Sequence, residues 1–193
     1  MPVTQALLVA NVLAYLLLEG SGLPVLEWFA LWPPSDPRFE AWQIVTYGFL
    51  HGSTMHIAFN MIALYTFGAA IERLFGSRFY LLYYFACVVS AAVCHLIVTG
   101  LMGGPSLPTV GASGGIYGLL LAYGLYFPNQ RVMLLIPPIP MKARTLVIAF
   151  AAIELFLGVT GVTGTGIAHF AHLGGMLGGW LMIEYRKRGG GRP

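Results

Sequence analysis

A serine and a histidine, 59 residues apart in the chain, carry the side chains that acyl-transfer chemistry requires. Ser113 lies in the stretch Gly-Ala-Ser-Gly at residues 111–114, where Gly111 and Gly114 permit a tight entry into a helix. His172 begins a second glycine-rich stretch. A serine hydroxyl becomes a nucleophile when a histidine about 2.6 to 3.2 Å away accepts its proton. The pair therefore indicates hydrolysis, although a serine between glycines is also common as a helix cap or packing residue.

Glycines follow both residues at the spacing that lets two helices approach closely. Gly114 and Gly118 lie one and five residues after the serine, and Gly175 and Gly179 lie three and seven residues after the histidine. Small residues four apart form the contact faces of closely packed helices in membranes. We expect the two segments to touch backbone to backbone and so to bring the serine and the histidine together.

Two further polar residues could stabilise a negatively charged intermediate. His56 and Asn60 are four residues apart, so they lie on one face of a helix. Together with the backbone N–H of Ser113 they could donate hydrogen bonds to an oxyanion. The alternative for this pair is ordinary hydrogen bonding between neighbouring helices.

The composition places all of these residues in a bilayer. Hydrophobic residues make up 58% of the 193 and charged residues only 9%, whereas about 25% charged is usual for soluble domains. The mean hydropathy is +0.77. The sequence predicts one all-α integral membrane domain over residues 1–193, a bundle of six transmembrane helices. The predicted spans are residues 4–18, 51–71, 79–101, 113–127, 145–162 and 167–183.

The distribution of basic residues predicts the orientation of the chain. Nine of the ten Lys and Arg residues follow the second, fourth and sixth predicted spans, so both termini are expected to be cytoplasmic. The net charge of +3 then reflects topology and not nucleic-acid binding. The first segment has neither a charged leader nor a small-residue cleavage site, so we take it as a span and not as a signal peptide. The compact chain suggests a prokaryotic plasma (inner) membrane.

Four motifs occur in order along the chain: HGSTMHIAFN at residues 51–60, a GxxxExxxGS pattern at residues 68–77, GASG at residues 111–114 and an AHxxGxxxG pattern at residues 171–179. Through these motifs the sequence between residues 42 and 179 resembles the rhomboid family of intramembrane serine proteases. Tyr117 falls where that family places a tyrosine against the catalytic histidine, while Gln43 departs from the family, many of whose members carry arginine after the tryptophan.

The resemblance implies a serine endopeptidase with a catalytic pair formed by Ser113 and His172. It implies that His56, Asn60 and the Ser113 N–H hold the oxyanion, and that Tyr117 orients the imidazole. It implies no cofactor and no acidic third member. No aspartate lies in any predicted span. The carboxylates inside or at the ends of the spans include Glu72, Glu154 and Glu184. We expect none of them to orient His172.

Two further ionisable residues, Glu154 and His169, lie in the fifth and sixth predicted spans. Glu154 in the fifth predicted span is expected to face protein or to be protonated, because a lipid-facing charge is costly. His169, one turn before the catalytic histidine, is expected to have a structural or water-organising role.

The resemblance also implies substrates that are single transmembrane helices, cut near their outer end within the lipid bilayer. Entry would be lateral, with the fifth span and the link over residues 161–166 as a mobile gate. The short fourth span and the loop over residues 103–111 are expected to form a water-filled cavity on the non-cytoplasmic side. The sequence does not specify an oligomeric state.

Other classes fit the sequence less well. We expect no metal site, because HExxH is absent and no carboxylate stands at ligand spacing from His56, His169 and His172. An aspartyl protease would need two intramembrane aspartates, but the chain's single aspartate, Asp36, lies outside the spans. Two alternatives stay open: a catalytically inactive rhomboid-like protein that binds membrane helices, and a small transporter or channel.

Overall fold

The computed structural model is mostly helical and describes residues 1–102, 107–134, 138–161 and 166–189. Two short helices and a 3-10 turn occupy the first loop, and the second long helix is continued through a π turn. In chain order the helices are α1 (Pro2–Gly20), α2 (Val25–Phe29), α3 (Gln43–Thr46), the 3-10 turn Tyr47–Phe49, α4 (Thr54–Ala63), the π turn Leu64–Gly68, α5 (Ala69–Phe75), α6 (Ser77–Met102), α7 (Ser113–Tyr126), α8 (Ala143–Thr160) and α9 (Gly166–Arg188).

Each of the six predicted spans corresponds to a helix in the described chain. By length and composition, helices in four places can cross a bilayer: Pro2–Gly20, Thr54–Phe75, Ser77–Leu101 and Ala143–Thr160. Helix α7 has 14 residues, or about 21 Å, which is shorter than a hydrocarbon core of about 30 Å. Its first residue, Ser113, therefore starts below one membrane surface if its other end reaches the opposite one. Six complete crossings stay a prediction.

One element corrects the all-α prediction. Between α7 and α8, strand β1 (Arg131–Met133) pairs antiparallel with β2 (Pro140–Lys142). The backbone N–H of Ala143 donates to the carbonyl of Gln130 at 2.8 Å, which continues the pairing up to the start of α8. Strands of three residues are too short to show the alternating pattern by which a strand is recognised in a sequence.

Helix α7 lies at the centre of the bundle, in contact with α6, α8 and α9. Small residues allow this packing, because a side chain on Gly118 or Gly124 would collide with Cys87 or Val147 respectively. The Tyr83 hydroxyl of α6 donates to the Gly118 carbonyl at 2.6 Å. These contacts hold the middle of α7 against α6 and its last turn against α8.

The GxxxExxxGS segment joins α1 to the inner bundle. The Glu72 carboxylate accepts hydrogen bonds from the backbone N–H groups of Val3 (3.1 Å) and Thr4 (2.9 Å), and from the hydroxyls of Thr4 (2.7 Å) and Ser77 (2.7 Å). Gly76 ends α5 with φ of +77°, a conformation that favours glycine. This signature is therefore a structural junction away from the predicted site.

Candidate active site

The start of α7 presents a serine and free backbone donors together. The residue before the helix is Ala112, and no side chain in the described chain caps it. Gly111 has φ of +134°, and a Cβ on it would stand 3.0 Å from the His56 ring. Its N–H donates to the Tyr47 carbonyl at 3.0 Å, which fixes the turn. The uncapped first-turn N–H groups and the helix dipole favour a negative charge beside Ser113.

His172 reaches this serine from α9. Its Nε2 lies 2.9 Å from the Ser113 Oγ. The approach depends on the two glycine faces, because a Cβ on Gly175 would overlap the Gly114 carbonyl and one on Gly118 would stand 3.1 Å from the Gly175 carbonyl oxygen. The structure thus brings the two sequence-predicted residues to hydrogen-bond distance, through the backbone contact that the glycine spacing predicts.

Tyr117 and Glu154 surround the other side of the imidazole. The Tyr117 ring is stacked on the His172 ring, with centroids 4.3 Å apart and planes 4° apart. The Tyr117 hydroxyl donates a hydrogen bond to Glu154 Oε1. The same carboxylate oxygen lies 3.0 Å from His172 Nδ1, and Oε2 lies 2.5 Å from His169 Nδ1.

Glu154 overturns one expectation from the sequence, namely that no carboxylate is placed to orient His172. It is buried, with a side chain 8% exposed, and it faces both histidines of α9. Oε1 is close enough to His172 Nδ1 for an ion pair, but the angle of approach falls outside hydrogen-bond geometry. His172 Nδ1 therefore has no hydrogen-bond acceptor in the described chain. The sequence could not reveal this contact, because it depends on which face of α8 packs against α9.

The two predicted oxyanion donors also lie beside the serine. The Ser53 hydroxyl caps α4 and accepts a hydrogen bond from the His56 N–H at 3.2 Å, so both predicted donors fall within the first two turns of that helix. The Asn60 Nδ2 is buried and has no hydrogen-bond partner among the described residues. A buried amide without an acceptor is costly, so a site that offers one is suited to receive a charged oxygen.

Two cavities meet at Ser113. The smaller, of about 180 Å³, contains polar groups and is lined by Tyr47, His56, Thr109, Val110, Gly111, Ser113, Gly114, Ala171 and His172. The larger, of about 390 Å³, is apolar and runs between α4 and α8; its lining includes Asn60, Ser113 and Tyr117. Residues 103–106 of the predicted cavity loop, and residues 162–165 of the predicted gate link, lie outside the described residues.

Gln43 organises the first loop in a way that the sequence did not predict. Its Nε2 donates to the carbonyls of Arg38 (2.8 Å) and Trp28 (3.3 Å), while its Oε1 accepts from the Trp32 N–H (3.3 Å). The Arg38 guanidinium lies 3.3 Å from the Trp32 ring centroid. Hydrogen bonding to Asp36 raises the pKa of Arg38. A neutral residue at position 43 thus holds the loop through two backbone carbonyls and one backbone N–H.

The cluster of Glu154, His169 and His172 has donor types that suit zinc, and one ligand atom from each lies within 4.8 Å of the others. The expectation that no carboxylate stands at ligand spacing from these histidines is therefore wrong for the folded chain, because packing of α8 against α9 brings Glu154 to His169 and His172. Two ligands on one tetrahedral zinc ion, each about 2.05 Å from it, are about 3.3 Å apart. The 2.5 Å separation of Glu154 from His169 instead fits a direct hydrogen bond.

Comparison with known proteins identifies the family. The family model described as the Rhomboid domain matches residues 38–188, which is most of the chain. The chain therefore belongs to the rhomboid family, and the resemblance seen in the sequence is confirmed.

Three relatives illustrate the similarity. The chain is 29% identical to "Rhomboid protease GlpG" of Photorhabdus laumondii over 97% of its own length and 62% of the relative. It is 30% identical to "Rhomboid protease GlpG" of Klebsiella pneumoniae over 97% of its own length and 66% of the relative. It is 32% identical to "Rhomboid protease GluP" of Bacillus subtilis over 74% of its own length and 25% of the relative. The chain thus spans less than two thirds of each of these proteins.

Proposed function

We propose that this chain is an intramembrane serine endopeptidase that cleaves transmembrane helices of membrane proteins. The observation that carries the proposal is the 2.9 Å distance between Ser113 Oγ and His172 Nε2 at the uncapped start of a central helix. A nucleophilic serine within hydrogen-bond distance of a histidine base is the first requirement for acyl transfer by a serine hydrolase. The relatives named rhomboid proteases support the same conclusion.

The reaction begins with proton transfer from Ser113 to His172. The Oγ attacks the carbonyl carbon of the scissile peptide bond as Nε2 accepts its proton, and a tetrahedral oxyanion forms. The imidazolium then returns the proton to the leaving amine, which departs and leaves an acyl-enzyme. A water molecule, deprotonated by the same Nε2, attacks the ester, and collapse of the second tetrahedral intermediate releases the carboxylate product and restores the serine.

Three donors would hold the oxyanion: the Ser113 backbone N–H, the His56 ring and the Asn60 amide. His56 lines the polar cavity with Ser113, and the unpartnered Asn60 Nδ2 is buried at the edge of the apolar one. Removing one such donor in measured hydrolases costs about 3 to 4 kcal/mol of transition-state stabilisation. Donors already in position need no reorganisation during the reaction.

The two cavities suit a membrane substrate and water respectively. The apolar cavity between α4 and α8 would take one strand of a substrate segment that enters laterally from the lipid bilayer, so α8 would move to admit it. The polar cavity would supply hydrolytic water to His172. Because the serine needs an extended peptide, helix-weakening residues near the outer end of a substrate helix should favour cleavage.

The membrane arrangement that goes with this function has six transmembrane helices in one domain, with both termini cytoplasmic. Helix α9, which carries His172, ends in Arg186, Lys187 and Arg188, as the positive-inside rule requires of a cytoplasmic end. We propose a prokaryotic plasma membrane as the location.

Cleavage of a fluorogenic transmembrane peptide by the purified protein in detergent tests the proposal. Wild type should release product, whereas Ser113→Ala and His172→Ala should not. A serine-reactive fluorophosphonate should label wild type at Ser113. Cleavage by folded Ser113→Ala would refute the mechanism. Absence of both cleavage and labelling in wild type would instead support an inactive protein that only binds membrane helices.

A further inference from the structure

We infer that Glu154 is a positioning residue for His172 and that it turns the serine and histidine pair into a three-membered arrangement. The inference rests on the proposed function. It departs from what the family resemblance implies, which is a pair without an acidic member. The carboxylate comes from α8, whereas the serine and the histidine come from α7 and α9.

The geometry assigns opposite ends of the imidazole to the two partners. Nε2 lies 2.9 Å from the Ser113 Oγ, and Nδ1 lies 3.0 Å from Glu154 Oε1. To accept the serine proton, Nε2 must be unprotonated, so the neutral ring carries its proton on Nδ1, beside the carboxylate. A carboxylate at that position favours this tautomer and stabilises the imidazolium that forms when the serine proton arrives.

The carboxylate is itself held from two sides. The Tyr117 hydroxyl donates to Oε1, and His169 Nδ1 lies 2.5 Å from Oε2. Hydrogen bonds to a carboxylate that itself contacts a catalytic side chain fix the orientation of that carboxylate. This gives His169 a function, which is to support the carboxylate. It also explains why a charged residue is present in the middle of α8, where it would be costly without partners.

The effect of Glu154 should be smaller than that of an ideally aligned carboxylate. The approach of Oε1 to Nδ1 is close but lies outside hydrogen-bond geometry, so the interaction is electrostatic. In serine proteases, replacing the aligned carboxylate by an amide lowers kcat about 10⁴-fold. We expect a loss of about 10²-fold here, since orientation by the Tyr117 stack is retained.

The test compares Glu154→Gln with Glu72→Gln. Both positions hold buried carboxylates that accept several hydrogen bonds, but Glu72 joins α1 to the bundle and does not touch the site. For each variant we would measure the thermal midpoint, kcat and KM on a transmembrane peptide, and the rate of fluorophosphonate labelling of Ser113. The small reagent needs no lateral gate, so its rate reports on the nucleophile and not on substrate entry.

For Glu154→Gln we expect kcat and the labelling rate to fall together by about 10²-fold, with KM changed by less than about threefold. Glu72→Gln should lose thermal stability but label at the wild-type rate. The inference is overturned if folded Glu154→Gln labels as fast as wild type, or if its loss merely follows its unfolded fraction as in Glu72→Gln. If Glu154→Gln does not fold, Glu154→Asp, which keeps the charge on a shorter side chain, should label about tenfold slower than wild type. A wild-type rate in folded Glu154→Asp would then overturn it.

These outcomes are distinct from failure of the proposed function. If wild type neither cleaves nor labels at Ser113, the protease proposal fails and the positioning inference fails with it. If wild type cleaves and labels through Ser113, and folded Glu154→Gln does so equally fast, only the positioning inference is wrong.

Discussion

Tyr117 lies parallel to His172, with ring centroids 4.3 Å apart and an angle of 4° between the planes. The tyrosine is four residues after Ser113 on α7, so the serine hydroxyl and the phenol ring project from one helix face. The stack therefore confines the imidazole to a plane that contains the direction to the serine. Because the phenol hydroxyl also donates to Glu154, the Tyr117 side chain contacts both His172 and the carboxylate beside it.

The two contributions of Tyr117 can be separated by substitution. Tyr117→Phe keeps the stacked ring and removes the hydrogen bond to Glu154, so we expect kcat to fall by about threefold to tenfold. Tyr117→Ala removes both, and we expect a loss of about 10²-fold. Steady-state kinetics on a transmembrane peptide would measure both. Equal losses in the two variants would show that the ring contributes nothing beyond the hydroxyl.

The buried amide of Asn60 should act on the transition state. We expect Asn60→Ala to lower kcat by about 10²-fold with little change in KM, because the donor bonds only to the developing oxyanion. Asn11→Ala is the matched control. Asn11 is also buried, but on α1, where its amide donates to the Leu7 carbonyl at 2.7 Å. A comparable loss of kcat in the folded control would assign the effect to general destabilisation and not to an oxyanion contact.

The sequence predicted one contact of the candidate site and missed another. The spacing of Gly114, Gly118, Gly175 and Gly179 predicted a close helix contact, since small residues four apart let two helices in a membrane approach closely. Glu154 was missed as a partner, because a lone carboxylate in an apolar helix has no periodicity that reveals which neighbour it faces.

The fold was predictable to a similar degree. Each of the six apolar runs found by hydropathy coincides with a helix, because apolar runs of that length are rare outside membranes, whereas the short helices α2 and α3 of the first loop were not predicted. Hydropathy identified the fourth span, now α7, as short, but it did not locate strands β1 and β2, each of three residues. The pairing of such short strands depends on tertiary contacts, which a pattern of residue types does not specify.

The backbone contact between α7 and α9 should be sensitive to a single methyl group. A Cβ on Gly175 would overlap the Gly114 carbonyl, so Gly175→Ala must separate the helices and lengthen the distance from Ser113 to His172. We expect a lower thermal midpoint and at least about tenfold slower fluorophosphonate labelling. Gly100→Ala in α6 is the control, since no atom lies within 4 Å of its added Cβ. Wild-type labelling by Gly175→Ala would contradict the proposed role of the glycine face.

The junction at Glu72 should contribute to stability without contributing to chemistry. Its carboxylate accepts hydrogen bonds from Val3, Thr4 and Ser77, and it is only 3% exposed. Glu72→Gln presents an amide nitrogen to these donors and leaves at least one without an acceptor, so we expect the free energy of unfolding to fall by about 2 kcal/mol. Unfolding in mixed micelles would measure this change.

Glu184→Gln provides the comparison for that measurement, because Glu184 pairs with Lys187 at 2.7 Å near the exposed end of α9. Exposed ion pairs contribute at most about 1 kcal/mol, so this variant should unfold close to wild type. Since Glu72 lies outside the candidate site, the folded fraction of Glu72→Gln should label Ser113 at the wild-type rate. Slower labelling per folded molecule would mean that the position of α1 is transmitted to α7, and that the junction affects the reaction as well as the fold.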